Sequence, residues 1–263
     1  MNDDGSHDGS NDGSNDGSHD GVIGFVSLIG AGPGNPDNLT LRGAAALARA
    51  EVVVYDALLE PSFREYFPAG AEQHFVGKRC GKHSSTQDEI NALLVAQAKR
   101  GRRVARLKGG DAGIFGRLGE ELSALRAAGV PFEVVPGVSA LTAGAAAAGF
   151  PLTLRGTARE VLIVNGHDMH RPGYDFRPLR DFDGTLVIFM GAAMLSTLAR
   201  GLLGAGANPA APLAFVEGVA TAGEHVAFST LGEAAQGKVS RKTDKPGIIY
   251  VGRVAASDRA ASP

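Results

Sequence analysis

TQDEINALLVAQAKRGRRVARLKGGD, residues Thr86 to Asp111, contains the unit on which the whole chain is patterned. Thr86 and Glu89 stand at the spacing of a capping box, apolar Ile90, Leu93, Leu94 and Ala98 recur at helical intervals, and Gly101 marks the stop. The β-rich run RVARLKG follows at once and ends on glycines and an acid. A helix delivered straight into a strand is the second half of a parallel crossover. Working outward, FVSLIG, EVVVYD and EQHFVG before this unit and FEVVPG after it read as further strands bounded by Gly, Pro or Asp. The first part of the chain is therefore expected to form a mostly parallel sheet covered by helices on both faces.

After Pro136-Gly137 comes an Ala-rich helix, SALTAGAAAAG, and then a second series of strands: EVLIVNG, TLVIFMG, PLAFVEG, EHVAFST and GIIYVGRV. Only AAMLSTLARGLLGAG reads as a long helix among them, so this sheet is expected to be mixed, with EHVAFST antiparallel to PLAFVEG. The expected architecture is α/β, two α/β domains facing across a cleft, with an N-terminal domain over residues 22–137 and a C-terminal domain over 138–255. Residues 256–263 read as a frayed end.

Residues 1–21 are a different material, a repeat of Asp, Gly and Ser with Asn or His and no large apolar side chain after Met1. Such a segment cannot offset its ordering entropy and is expected to be disordered. It carries Asp3, Asp4, Asp8, Asp12, Asp16 and Asp20 without a lysine or arginine, while the whole chain has a net charge of only −2, so the remainder is mildly basic. That balance suits an anionic small molecule and argues against nucleic acid as the partner. No apolar run approaches the length of a membrane helix and the N-terminus lacks a signal-peptide pattern, so a cytoplasmic protein without a membrane partner is expected. The lone Cys80 excludes an internal disulfide and a cysteine metal cluster.

The first strand runs into Gly30-Ala31-Gly32-Pro33-Gly34-Asn35-Pro36, ahead of a helix expected to begin near Leu39. Glycine turns of this kind cradle pyrophosphates, but the dinucleotide fingerprint places its third glycine one position later, and the two prolines remove donors. Asp56 ends the second strand and can accept a proton; Lys78 follows the third and can donate one or bind a carboxylate. Taken singly, each is better explained as a solvated loop charge, but Lys78, Arg79, Lys82 and His83 crowd one loop and imply an anionic ligand. The fourth strand leads into RLKGGDAGIFGRLGEE, residues Arg106 to Glu121, where charged side chains alternate with glycines at the carboxyl end of a strand, the usual place of a ligand in such folds. Arg117, Glu120 and Glu121 suggest a charged wall beside a backbone-lined pocket.

GAGPGNP, YDALL, VGKRCGKHS, RLKGGDAGIFGRLGEE, VVPGVSA, PLTLRGTA, NGH and FMG occur in this order from about Val26 to Val254, and together they resemble the uroporphyrinogen-III C-methyltransferases of the tetrapyrrole methylase family. The resemblance implies the two-domain tetrapyrrole methylase fold, S-adenosylmethionine as methyl donor with S-adenosylhomocysteine as product, no metal, a homodimer, and methylation of uroporphyrinogen III at C2 and C7 through precorrin-1 to precorrin-2, which feeds sirohaem, cobalamin or haem d1. It further implies donor contacts at Pro33, Gly109, Gly110, Asp111, Ile114, Ser139, Ala140, Met190 and Val219. Asp56 matches the proton acceptor, Lys78 the donor, and Arg117, Glu120 and Arg155 the group that meets the tetrapyrrole; Arg79 and His83 would add to its binding. The chain departs from the family pattern at Asn35, Ala112-Gly113, Leu118-Gly119, Leu154 and Gly218-Val219. Those departures leave open a relative with another tetrapyrrole acceptor or a non-catalytic binding protein, and the Ala112-Gly113 step is expected to loosen its loop.

Overall fold

The computed structural model describes residues 23–77 and 85–256 of the 263-residue chain. The expected tail over 1–21, together with Lys78, Arg79, Cys80, Lys82 and His83, lies outside the described residues. The first sheet has five strands, β1 (Phe25–Gly30), β2 (Val52–Tyr55), β3 (Glu72–Phe75), β4 (Arg103–Lys108) and β5 (Phe132–Val135). They run parallel in the order β3-β2-β4-β1-β5. Helices α1 (Leu41–Leu47), α2 (Gln87–Lys99) and α3 (Leu118–Ala127) make the crossovers.

Alternation along the strands divides the core between the two faces. Ile29, Val53, Tyr55, Ala105 and Leu107 pack with Ala46, Leu47 and Phe63 on one side, while Val26, Leu28, Val52, Val54 and Val104 pack with Ile90, Leu94 and Leu125 on the other. Burial on both faces explains why β2 is simply VVVY. The α2 capping box is present, with the Thr86 hydroxyl accepting from Glu89 N and the Glu89 carboxylate accepting from Thr86 N. At the first glycine turn the helix starts later than the sequence suggests. Asn35 caps a single 3-10 turn over Pro36–Asn38, and Thr40 then caps α1.

The second sheet is mixed, with strands β6 (Val161–Asn165), β7 (Thr185–Phe189), β8 (Pro212–Glu217), β9 (His225–Thr230) and β10 (Gly247–Val251). Their order is β6-β7-β10-β8-β9; only β6 and β7 are parallel neighbours, and β8–β9 is the expected antiparallel pair. Helix α4 (Ala140–Ala147) packs on one face, against Val187, Ala214, Val216, Ile248 and Tyr250. The short α5 (Gly166–Met169) and α6 (Arg177–Arg180), with α7 (Leu195–Gly204) and α8 (Leu231–Ala235), lie toward the other. The small residues of α4 permit a close approach: a Cβ on Gly144 would stand 2.3 Å from the Tyr250 hydroxyl, which donates to the carbonyl oxygens of Leu141 at 2.9 Å and Ala140 at 3.2 Å.

Candidate active site

All strands of the first sheet point the same way, so their carboxyl ends gather Gly30, Asp56, Gly109 and Pro136 along one rim. In the second sheet β10 is antiparallel to both β7 and β8, which places the carboxyl ends of β6, β7 and β8, with His167, Met190 and Val219 beyond them, on a common side. Contacts among the described residues bring the two rims together. Asn35 N donates to Ala220 O at 3.0 Å, the Phe115 and Phe189 rings meet with centroids 5.4 Å apart, and Lys245 pairs with Glu60.

Main chain lines the floor. Gly32 and Gly110 form an antiparallel bridge, with Gly110 N donating to Gly32 O at 2.9 Å and Gly32 N to Gly110 O at 3.1 Å. Gly110 has φ +72°, a conformation that glycine adopts freely, and a Cβ there would find only Ala140 N, at 3.8 Å. Gly137 presses in from behind, where a side chain would collide with Gly110 O at 2.5 Å. Asp111 is the clamp of this arrangement: one carboxylate oxygen accepts from Gly113 N at 2.8 Å and the other from Gly137 N at 2.9 Å. In the Ala112-Gly113 step Gly113 supplies one of these two donors and Ala112 is buried. Ser139 caps α4 by accepting from Leu141 N, and a groove of about 470 Å³ opens beside Thr142, Val219 and Ala220.

The charged residues divide into two groups. Arg117 and Glu120 stand exposed at the start of α3 and pair with each other in bidentate fashion, Nε to Oε1 at 2.8 Å and Nη2 to Oε2 at 2.5 Å. Arg117 holds the Glu120 carboxyl below the usual glutamate range, and the carboxylate raises the guanidinium in return. Glu121, read from sequence as part of the same wall, instead turns inward and is wholly buried against Arg106 and Lys108. Burial and the neighbouring Arg106 push the Lys108 amine down, against the pull of Glu121 and Asp56. Arg106 Nη2 lies 3.6 Å from Asp56 Oδ2, so the buried charges reach the cleft through that carboxylate, whose other oxygen accepts from Leu58 N. The sequence signal for this group is the pair Arg106 and Lys108, two residues apart on one face of a strand that is buried from Val104 to Lys108.

Among the described residues, Phe115, Arg117, Met190 and Ala220 are the non-glycine positions with positive φ, and all four flank the cleft. Strain concentrated in this way marks functional walls. Pro33, Gly109, Gly110, Asp111, Ile114, Ser139, Met190 and Val219 lie on the loops bordering the floor or the opposing rim, and Ala140 opens α4 directly after Ser139. Arg155 does not join them. The Leu154–Ala158 bridge, Thr185 Oγ1 on Leu152 O and Arg253 on Thr157 O hold its turn at the start of β7, about 16 Å of strand away from Met190.

A family model described as Tetrapyrrole (Corrin/Porphyrin) Methylases matches residues 26–235. An S-adenosyl-L-methionine-dependent uroporphyrinogen III methyltransferase of Methanosarcina barkeri is 42% identical over 234 residues, 88% of this chain and 92% of that protein. Siroheme synthase 2 of Cronobacter sakazakii is 42% identical over 233 residues, 89% of this chain; the chain spans 50% of the length of that relative. The crystal structure of a uroporphyrin-III C-methyl transferase from Thermus thermophilus complexed with S-adenyl homocysteine superposes with a TM-score of 0.74 at 40% identity, covering 88% of this chain and 98% of the other.

Proposed function

Because the chain belongs to the tetrapyrrole (corrin/porphyrin) methylase family, we propose that it is an S-adenosylmethionine-dependent methyltransferase that converts uroporphyrinogen III to precorrin-1 and then precorrin-2. The observation that carries the reading is the main-chain cradle at Gly110, bridged to Gly32 on one side and open toward Ala140 N on the other. Such a surface fits a donor held by backbone groups, and any side chain at Gly110 would both strain the turn and fill the cradle. Pro33, Gly109, Ser139, Ala140, Met190 and Val219 are assigned the remaining contacts. S-adenosylmethionine supplies, when bound, an electrophilic sulfonium methyl group.

The chain's own residues then have three tasks. A porphyrinogen carbon is already nucleophilic, so the first is alignment of the macrocycle in the cleft. Arg117 is assigned the anchor, because its planar guanidinium pairs two-pronged with a carboxylate and the substrate carries many. The second task is charge. Formation of the carbon–carbon bond leaves a positive charge on the macrocycle, which the Glu120 carboxylate, released as Arg117 turns to the substrate, is placed to stabilise. The third is removal of the proton whose loss restores the neutral ring, assigned to Asp56 at the rim of the cleft. Lys78, with Arg79 and His83, is assigned to the same anionic substrate. A cytoplasmic homodimer with no nucleic-acid or membrane partner completes the proposal; no described helix is long and apolar enough to cross a membrane.

Incubation with uroporphyrinogen III and S-adenosylmethionine, read by mass spectrometry, is expected to yield a product heavier by two methyl groups. An unchanged macrocycle, with S-adenosylhomocysteine binding intact by calorimetry, would move the acceptor elsewhere. Absence of binding at high concentration would remove the donor as well.

A further inference from the structure

The proposed chemistry leaves three ionisable side chains unused. Arg106 and Lys108 are each 4% exposed and Glu121 is not exposed at all. Glu121 Oε1 accepts from Lys108 Nζ at 2.8 Å, Arg106 Nε at 3.1 Å and, more distantly, Gln87 Nε2 at 3.4 Å. Its Oε2 is buried with no hydrogen-bond partner. The rest of the Arg106 guanidinium is committed as well, with Nη1 donating to Leu107 O at 2.7 Å and Nη2 facing Asp56 Oδ2 at 3.6 Å.

A buried ion cluster seldom stabilises a fold more than apolar residues of the same size would, and an unpartnered carboxylate oxygen makes it costlier still. A cluster that carries this cost directly beneath a cleft, and whose outermost nitrogen faces a cleft carboxylate, points to the chemistry above it. We propose that Glu121 is a positioning residue: it fixes the Arg106 guanidinium under the cleft floor, and Arg106 in turn sets the direction of the Asp56 carboxylate. The inference rests on the methyl-transfer reading, in which Asp56 takes the proton. The Lys108 amine, pushed down by burial and by Arg106, is the second charge that Glu121 offsets, and Gln87, itself donating to Asn91 Oδ1 at 3.0 Å, closes the group from α2.

The test is a double-substitution cycle on the full chain, with Glu121→Gln and Asp56→Asn made singly and together. Glu121→Gln keeps the shape of the side chain and removes its charge. It is expected to lower kcat by about tenfold or more while KM and S-adenosylhomocysteine affinity stay within about threefold. In the Asp56→Asn background it is expected to add nothing, because the residue it acts through is already gone. Equal losses of kcat in both backgrounds, a loss confined to KM, or a wild-type kcat in Glu121→Gln would each overturn the proposal. If Glu121→Gln does not fold, Arg106→Lys, which keeps the charge and loses the fork, takes its place in the cycle. If the unsubstituted chain leaves uroporphyrinogen III unmethylated, it is the functional reading that fails. The positioning is then decided by urea unfolding of the same four proteins, where non-additive midpoint shifts support it and additive ones overturn it.

Discussion

Lys245 Nζ lies 2.6 Å from Glu60 Oε1, tying the segment ahead of β10 to the loop that leaves Asp56. With the lysine side chain 40% exposed, the pair adds no more than about 1 kcal/mol to stability, and its weight lies in joining the two rims of the cleft. Lys245→Ala is therefore expected to leave the melting temperature almost unchanged and to weaken S-adenosylhomocysteine binding by about threefold or more. Unaltered affinity by calorimetry would show that the rims hold their spacing without this strap.

Asp111 is expected to be far less tolerant. Asp111→Ala removes the acceptor of the exposed Gly113 amide and the half-buried Gly137 amide, at a cost of about 0.5–1.5 kcal/mol for each hydrogen bond lost. Donor-product affinity falls with it, because both amides belong to segments bordering Gly110. Asp111→Asn keeps one acceptor oxygen and is expected to fall between the two in thermal unfolding and calorimetry; an Asp111→Ala protein matching the parent in both would refute the clamp.

Gly144→Ala tests how α4 is seated. The added methyl would lie 2.3 Å from the Tyr250 hydroxyl, so either the helix or the ring must move and the bonds to the Ala140 and Leu141 carbonyls are lost. Overpacking of this kind costs about 1–3 kcal/mol. Gly144→Ala with Tyr250→Phe is expected to recover part of the loss in denaturant unfolding, since the hydroxyl is the atom in the way.

Arg117→Ala and Glu120→Ala are expected to stop turnover while sparing S-adenosylhomocysteine binding, since neither side chain belongs to the backbone cradle. Reversal of the pair, Arg117→Glu with Glu120→Arg, preserves the mutual contact but inverts what meets the substrate, and is expected to stay inactive. Near-normal rates in the single variants, measured by methyl incorporation, would take both residues out of the mechanism.

Acid stability should depend on Glu133. Arg42, with help from Ser27 and Arg49, holds its carboxyl below the ordinary value of 4.5. A carboxyl depressed on folding stabilises above its unfolded value, and that contribution disappears as pH falls through the folded one. The parent chain should lose stability between about pH 5 and 3 more steeply than Glu133→Gln, as read by urea midpoints across that range. Parallel curves would show that the Arg42–Glu133 tie between α1 and β5 carries no proton linkage.

The elements that could be read from the sequence are those whose cause is local. A strand buried on both faces writes itself as VVVY, and the α2 cap needs only Thr86 and Glu89 at the right spacing. The cradle was legible for a related reason, since glycines at strand ends announce main chain meeting main chain, as Gly32 and Gly110 do. What could not be read is orientation. Glu120 and Glu121 are neighbours separated by about 100° of helix, and only the way α3 lies on β4 decides that the first faces solvent and the second is enclosed with Arg106 and Lys108. The same holds for Asp111, whose partner Gly137 is on another strand's exit, and for Arg155, which the turn between Leu154 and Ala158 carries to the far end of the second sheet.

The left-handed backbone at Phe115, Arg117, Met190 and Ala220 costs about 1–2 kcal/mol per residue relative to a relaxed conformation. Glycine at any of the four would release that energy and also free the wall it stands in. Thermal endurance and catalytic fidelity are therefore opposed at these positions. A selection for heat resistance that ignores turnover is expected to reach glycine at these positions early and to yield sturdier molecules that methylate poorly.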